Sequence, residues 1–310
     1  MGAACDTTTH GGYPMNSGTA EPAIGDFLGG IHSKGTGFRS LINRILTVLC
    51  VGLSLLTLVP LFSIIFLVVK NGWPLLSWQT FVELPPAAGM VGGGFANAVV
   101  GTLVMVGLGL AISAPVGILA AIYINEYAPN ARLSHAVRLV AKLLTGIPSI
   151  ICGVFAFAVI VSTTGTFSAY AGAVALSVLM LPTILLTAEQ ALLSVQSSFR
   201  EASYGLGATK FQTITRIVLP DALPAIMTGV MLAVARAAGE TAPLIFTALF
   251  SQFWAQSLNE PTASLSVLIF NFSTVPFPHQ IAMAWTASLV LVAFVTVANV
   301  LAQWVFSKKY

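Results

Sequence analysis

Arg236 and Glu240 are the two residues of this chain whose chemistry most needs an explanation, because they are the only charges in an otherwise apolar run from about Ala222 to Phe250. Arg236 lies 14 residues into that run. At the rise of a helix this is about 21 Å, near the middle of a bilayer. A guanidinium at that depth costs at least about 2.5–3.5 kcal/mol and normally faces a cavity or a partner charge. Glu240 follows at four-residue spacing, which on a continuous helix sets both on one face and lets them pair. Two roles are open: an ion pair that closes a helix interface, or a planar fork of N–H donors offered to phosphate or carboxylate oxygens. Gly239 and Pro243 flank the acid, and interrupted helices of this kind bind ions within membranes.

The remaining residues offer little reaction chemistry. No paired carboxylates, HxxxH or nucleophile elbow occurs, and there is no GxxxxGK[ST] phosphate loop; Gly207-Ala208-Thr209-Lys210 lacks both the preceding strand and the glycine spacing. His10, His32, His135 and His279 are isolated, and Cys5, Cys50 and Cys152 are scattered without a CxxC spacing, so the thiols read as apolar filler. Enzyme and metal-site classes are disfavoured, and no cofactor is expected in the chain.

The elements that must position Arg236 follow from composition. Of 310 residues, 56% are hydrophobic and 7% charged, with a mean hydropathy of +0.91; soluble domains carry roughly a quarter charged residues. Six stretches approach the roughly 20 residues needed to cross hydrocarbon. They are Ile45–Val69, Asn97–Ile124, Leu139–Val161, Ala169–Leu186, Ala222–Phe250 and Ile281–Phe306. The first begins too late and runs too long for a secretory signal. Ahead of it, residues 1–38 are rich in Gly, Thr and Ser and read as a flexible tail, which leaves 39–310 as one membrane domain. Lys34, Arg39, Arg44, Arg132, Arg138, Lys142, Arg200, Lys210, Arg216, Lys308 and Lys309 fall on one side and Lys70 alone on the other. That excess marks the cytoplasmic side, with both termini there. Trp73, Trp78, Trp254 and Trp285 fall near the outer boundary as belt anchors. Glu126 and Glu189, at cytoplasmic ends of spans, read as solvated boundary charges. Gly109, Ser113 and Gly117, and likewise Ala225, Gly229, Ala233 and Ala237, form small-residue stripes for close helix packing.

One segment exceeds what a lone membrane protein requires. The cytoplasmic loop 194–221 reads as two short helices, one ending near Leu206 at Gly207 and one capped by Thr209 and stopped by Pro220. Phe211, Ile214, Ile217 and Val218 share a face of the second helix, and an ordered amphipathic pair outside the bilayer implies something to pack against.

The spacing Glu201-Ala202-Ser203, three residues, Gly207, nine residues, then Ile217-Val218-Leu219-Pro220 resembles the EAA loop of ABC-importer permeases, departing only at Ser203 where that family usually has Ala. Arg236-Ala-Ala-Gly-Glu240-Thr241-Ala-Pro243 is similar to the signature of phosphate-specific importer permeases, its Thr-Ala-Pro ending to the A-type subunit; Thr145-Gly-Ile-Pro-Ser149 is similar to a second stretch of those proteins. The resemblance implies an all-α, polytopic transmembrane domain of the type I (MetI-like) importer class in a bacterial-type inner membrane. It implies phosphate import by alternating access, with Arg236, Glu240, Thr241 and Ser149 along the substrate path. It implies that Glu201, Ala202, Gly207, Ile217, Leu219 and Pro220 couple to an ATPase. The implied partners are a C-type permease subunit, two nucleotide-binding ATPase subunits that hold ATP and Mg, and an extracytoplasmic phosphate-binding protein. Membrane lipid surrounds the chain, and nucleic acid has no place in this reading. Another oxyanion (sulfate, molybdate or phosphonate) or a gradient-driven anion carrier remain the alternatives.

Overall fold

The computed structural model describes residues 37–306, and these are helices and connecting loops without a strand. The tail expected over 1–38 lies, but for its last two residues, outside the described segment, as do Lys34, Lys308 and Lys309. Helices are what lipid demands, since each satisfies its own backbone donors and acceptors. Five are long and apolar enough to span: Arg39–Gly72, Ala96–Tyr127, Ala169–Leu193, Lys210–Gly239 and Pro278–Val305.

The chain divides at Ser63. Up to there it contributes the first part of helix α1 (Gly37–Gly72), and the described side chains as far as Ser63 are exposed. From Ile64 onward the elements form the packed bundle. These are α2 (Ala96–Ile122), α3 (Arg132–Thr145), α4 (Ser149–Ala156), α5 (Ala169–Leu193), α6 (Ser197–Gly205), α7 (Lys210–Thr213), α8 (Leu219–Gly239), α9 (Ala242–Thr247), α10 (Leu265–Ser273) and α11 (Pro278–Phe306).

Helix α5 is the axis of that bundle, packing on α2, α8, α3, α4 and α9. Its Ala- and Gly-rich N-terminal half lets neighbours come close, and the small-residue stripes meet it as expected. A Cβ added at Gly109 would lie 3.1 Å from the Ala173 carbonyl oxygen, and one at Gly229 would lie 2.5 Å from Thr187 Cβ. Dispersion at such close backbone approach replaces the hydrophobic drive that lipid does not supply. Ala225, however, is exposed, so that stripe is buried only from Gly229 onward.

Two of the expected elements differ from their sequence reading. The stretch Leu139–Val161 is not one straight span. It is α3 followed by a helix over Ser149–Thr164, and the two are bent by 106°. The elbow is Gly146-Ile147-Pro148, where a residue before proline is pushed out of the α region and Pro148 is itself extended (φ −55°, ψ 133°). The coupling-loop helix also does not stop at Pro220. It runs unbroken from Lys210 to Gly239 because the segment Ile214–Val218 opens into a π turn, in which the Leu219 N–H reaches the Ile214 carbonyl. The extra residue in that turn lets the chain pass the proline, which has no N–H to give.

Candidate functional site

Helix α8 carries Arg236 on its exposed side, three residues before the helix ends at Gly239. Glu240 is not one turn further along the same helix. It is the first residue beyond it, in extended conformation (φ −74°, ψ 127°). Ser266 Oγ donates to the Glu240 carbonyl oxygen at 2.8 Å and fixes this break against the start of α10. The carboxylate nevertheless turns back, and Arg236 Nε stands 3.6 Å from Glu240 Oε1.

Thr241 and Ser149 come from different elements. Thr241 lies in the break itself, ahead of α9. Helix α4 packs on α9, just past the break, so tightly that a Cβ at Gly153 would sit 2.6 Å from Pro243 Cα, and Ser149 lies one helical turn before Gly153. Neither Ser149 nor Thr241 forms a hydrogen bond to Arg236 among the described residues.

Two other guanidiniums give the comparison that sorts these charges. Arg138 donates to Glu189 Oε1 at 2.5 Å, to the Ile124 carbonyl at 3.0 Å and to the Pro129 carbonyl at 3.1 Å. Arg200 donates to Glu126 Oε1 at 2.8 Å, to Leu192 at 2.9 Å and to Val195 at 2.7 Å. The Glu189 and Glu126 side chains are only 6% and 8% exposed, so these acids are buried partners and not the solvated boundary charges their position suggested. A buried carboxylate requires such a partner. Arg236 is different. It is 43% exposed, its counter-ion lies beyond hydrogen-bond distance, and it makes no hydrogen bond among the described residues. Two guanidiniums are each anchored by three acceptors; the third keeps its donors available.

The loop 194–221 has the local chemistry its sequence promised. Gly207 adopts φ +80°, with its N–H on the Tyr204 carbonyl at 2.9 Å. Thr209 caps α7 through a reciprocal capping box with Gln212. Ser203, where Ala is usual, is buried and shares a 2.9 Å hydrogen bond with Thr213, which joins α6 to α7. Glu201 and Ala202 are exposed, Ile217 and Leu219 are half-buried, and Pro220 is exposed at the start of α8. The face expected for the second helix is divided. Ile214 and Val218 pack into the bundle, while Phe211 is 66% exposed and Leu206 90% exposed. These two, with Phe199 and Tyr204, form the apolar surface that the loop presents outward.

Sequence reasoning missed Arg138, Arg200, Glu126 and Glu189 as a connected set. Their pairs join residues 51 and 74 positions apart, so no spacing reveals them. The available signal was coarse: two acids and two arginines gathered at the same ends of neighbouring apolar runs.

Residues 113–309 match the family model described as "Binding-protein-dependent transport system inner membrane component". The chain is 38% identical over 276 residues to the phosphate transport system permease protein PstA of Yersinia pestis, covering 89% of this chain and 94% of that protein. It is 39% identical over 246 residues to its namesake in Haemophilus influenzae, covering 79% and 87%. It is also 34% identical over 257 residues to a probable phosphate transport system permease protein PstA of Methanocaldococcus jannaschii, covering 82% and 89%. Among solved structures, a chain of a bacterial alginate ABC transporter in complex with a periplasmic protein superposes with a TM-score of 0.60 at 19% identity, covering 84% of this chain and 93% of that one. A chain of the inward-facing MetNI methionine ABC transporter does so with a TM-score of 0.53 at 21% identity, covering 79% and 96%. At these identities the structures speak for the fold.

Proposed function

Because the chain belongs to the family of binding-protein-dependent transport system inner membrane components, we propose that it is the multi-pass permease subunit of an ATP-driven phosphate importer, with Arg236 as the group that meets the anion. The observation that carries this role is the setting of Arg236: within an apolar span it is 43% exposed, makes no hydrogen bond among the described residues and stands 3.6 Å from Glu240, whereas Arg138 and Arg200 each donate to three acceptors. Phosphate bears one to two negative charges near neutral pH and must shed water to pass through a narrow, low-dielectric route. The guanidinium fork replaces that water with directed donors. Glu240 at 3.6 Å competes for the same guanidinium. It offsets the cation when the path is empty and weakens its hold when phosphate must leave. Thr241 and Ser149 supply hydroxyls beside the helix break.

The chain performs transport without enzyme chemistry of its own. ATP and Mg bind in two partner ATPase subunits, which dock on the exposed surface around Leu206, Phe211 and Glu201. A C-type permease subunit completes the membrane path, and an extracytoplasmic phosphate-binding protein delivers the substrate.

The assembled complex in liposomes is expected to import phosphate only when ATP and the binding protein are both supplied. Import without ATP would identify a gradient-driven carrier. Preference for sulfate, molybdate or a phosphonate would remove phosphate as the substrate.

Orientation follows from the Lys and Arg bias, with loop 194–221 and both termini in the cytoplasm. With Cys5, Cys50 and Cys152 replaced, single cysteines at the exposed positions Ser197 and Ser257 report it. An impermeant thiol reagent added to intact cells is expected to label position 257 and spare 197. The reverse pattern overturns the topology.

A further inference from the structure

We propose that the Arg200–Glu126 pair is the contact through which displacement of the coupling loop reaches span α2, making Glu126 a positioning residue of ATP-coupled import. The inference rests on the transport reading above and concerns how loop 194–221 moves the bundle.

Covalently, that loop is tied to the bundle only at its two ends, through residues 194–196 to α5 and through α7 into α8. The second connection contains the π turn Ile214–Val218, a widened hydrogen-bonding pattern often found at functional sites. A second, non-covalent connection bypasses it. Span α2 ends in another π turn, Tyr123–Tyr127, and two consecutive residues of that turn hold the two halves of the loop. Glu126 accepts from Arg200 of α6 at 2.8 Å, and the Tyr127 ring lies 5.1 Å beneath Lys210 Nζ at the start of α7. The turn is braced from behind. Arg138 donates to the Ile124 carbonyl within it, to the Pro129 carbonyl just beyond it and to Glu189 on α5. A push delivered to α6 and α7 therefore arrives on the joined ends of α2 and α5, the most closely packed helices of the bundle. The whole unit turns with the loop.

The Glu126 carboxylate is 8% exposed, which keeps the contact strong against solvent. Its removal does not release the loop, because Arg200 still donates to the Leu192 and Val195 carbonyls at the end of α5. Glu126→Gln thus weakens the link to α2 while α6 stays in place. This separates transmission from docking.

The test uses the complete transporter in liposomes and reads phosphate imported per ATP hydrolysed. Glu126→Gln is expected to lower that ratio at least about fivefold, the weight of a lost charge-assisted hydrogen bond, while hydrolysis and co-purification of the ATPase stay near wild type. Glu126→Asp is expected to restore much of it. Tyr127→Leu, which removes the ring beneath Lys210 and lies outside the loop, is expected to lower it about twofold. A wild-type ratio in Glu126→Gln overturns the proposal, as does a loss of uptake and hydrolysis in equal proportion. If Glu126→Gln does not assemble, an unchanged ratio in Tyr127→Leu overturns it. A wild-type complex that imports a different oxyanion refutes the substrate reading alone, and the same ratio measured with that anion still decides the relay.

Discussion

Arg236→Gln is expected to abolish phosphate uptake, by at least about a hundredfold if two charge-assisted hydrogen bonds to the anion are lost, with assembly and ATP binding intact. The reason lies in what the side chain does in the fold. Arg138 and Arg200 each hold three acceptors, so removing either strips the bundle of contacts. Arg236 makes one loose contact, 3.6 Å to Glu240, and is 43% exposed. Its deletion therefore costs the structure little and the substrate much. Arg236→Lys is expected to recover only a small part of the uptake, because a point charge lacks the planar fork. If the pair were merely a brace between elements, Arg236→Gln would strand Glu240 and weaken the complex, and adding Glu240→Gln would restore both assembly and uptake. Wild-type uptake by the doubly neutral protein sinks the path role.

The second large effect belongs to Gly207. At φ +80° a side chain meets its own backbone, at a cost of about 1–2 kcal/mol. The surroundings add nothing to that cost, since a Cβ placed there has no neighbour within 4 Å. Gly207→Val is thus a test of loop conformation alone. It is expected to weaken ATPase association, or coupled hydrolysis, by about 5- to 30-fold while the subunit still inserts in the membrane. Gly207→Asn, which tolerates the left-handed region, is expected to retain most of the coupling. Measured binding of purified ATPase to membranes containing each variant separates the outcomes. Equal loss in Val and Asn variants would mean that surface shape, not backbone conformation, is what the partner reads.

Much of this protein is legible in its sequence, and for one reason: the features concerned are local or are dictated by lipid. Apolar runs of bilayer length become helices because nothing else satisfies a backbone in hydrocarbon. The Gly207 conformation, the Thr209 cap and the approach of Glu240 to Arg236 each depend on residues within about five positions of one another. The proportions of the EAA-like loop are likewise a matter of short-range spacing, which is why they can be read from the residues alone.

Tertiary structure decided what short range leaves open. Proline signals at Pro148 and Pro220 look alike in sequence, yet the first bends the chain by 106° and the second lies in an unbroken helix, because a π turn makes room before it. Glu126 and Glu189 sit at helix ends where charge is usually solvated. Packing of α3 and α6 across those ends buries both, and only then do Arg138 and Arg200 become their partners. Ile214 and Val218 leave the loop's outward face for the same cause: the helix they begin is the foot of a span and must fill the bundle. Sequence alone nominated Arg236 for an anion and counted Arg138 and Arg200 only as cytoplasmic charge. Only the three-dimensional arrangement shows that Arg138 and Arg200 each hold three acceptors and that Arg236 holds none within hydrogen-bond distance among the described residues.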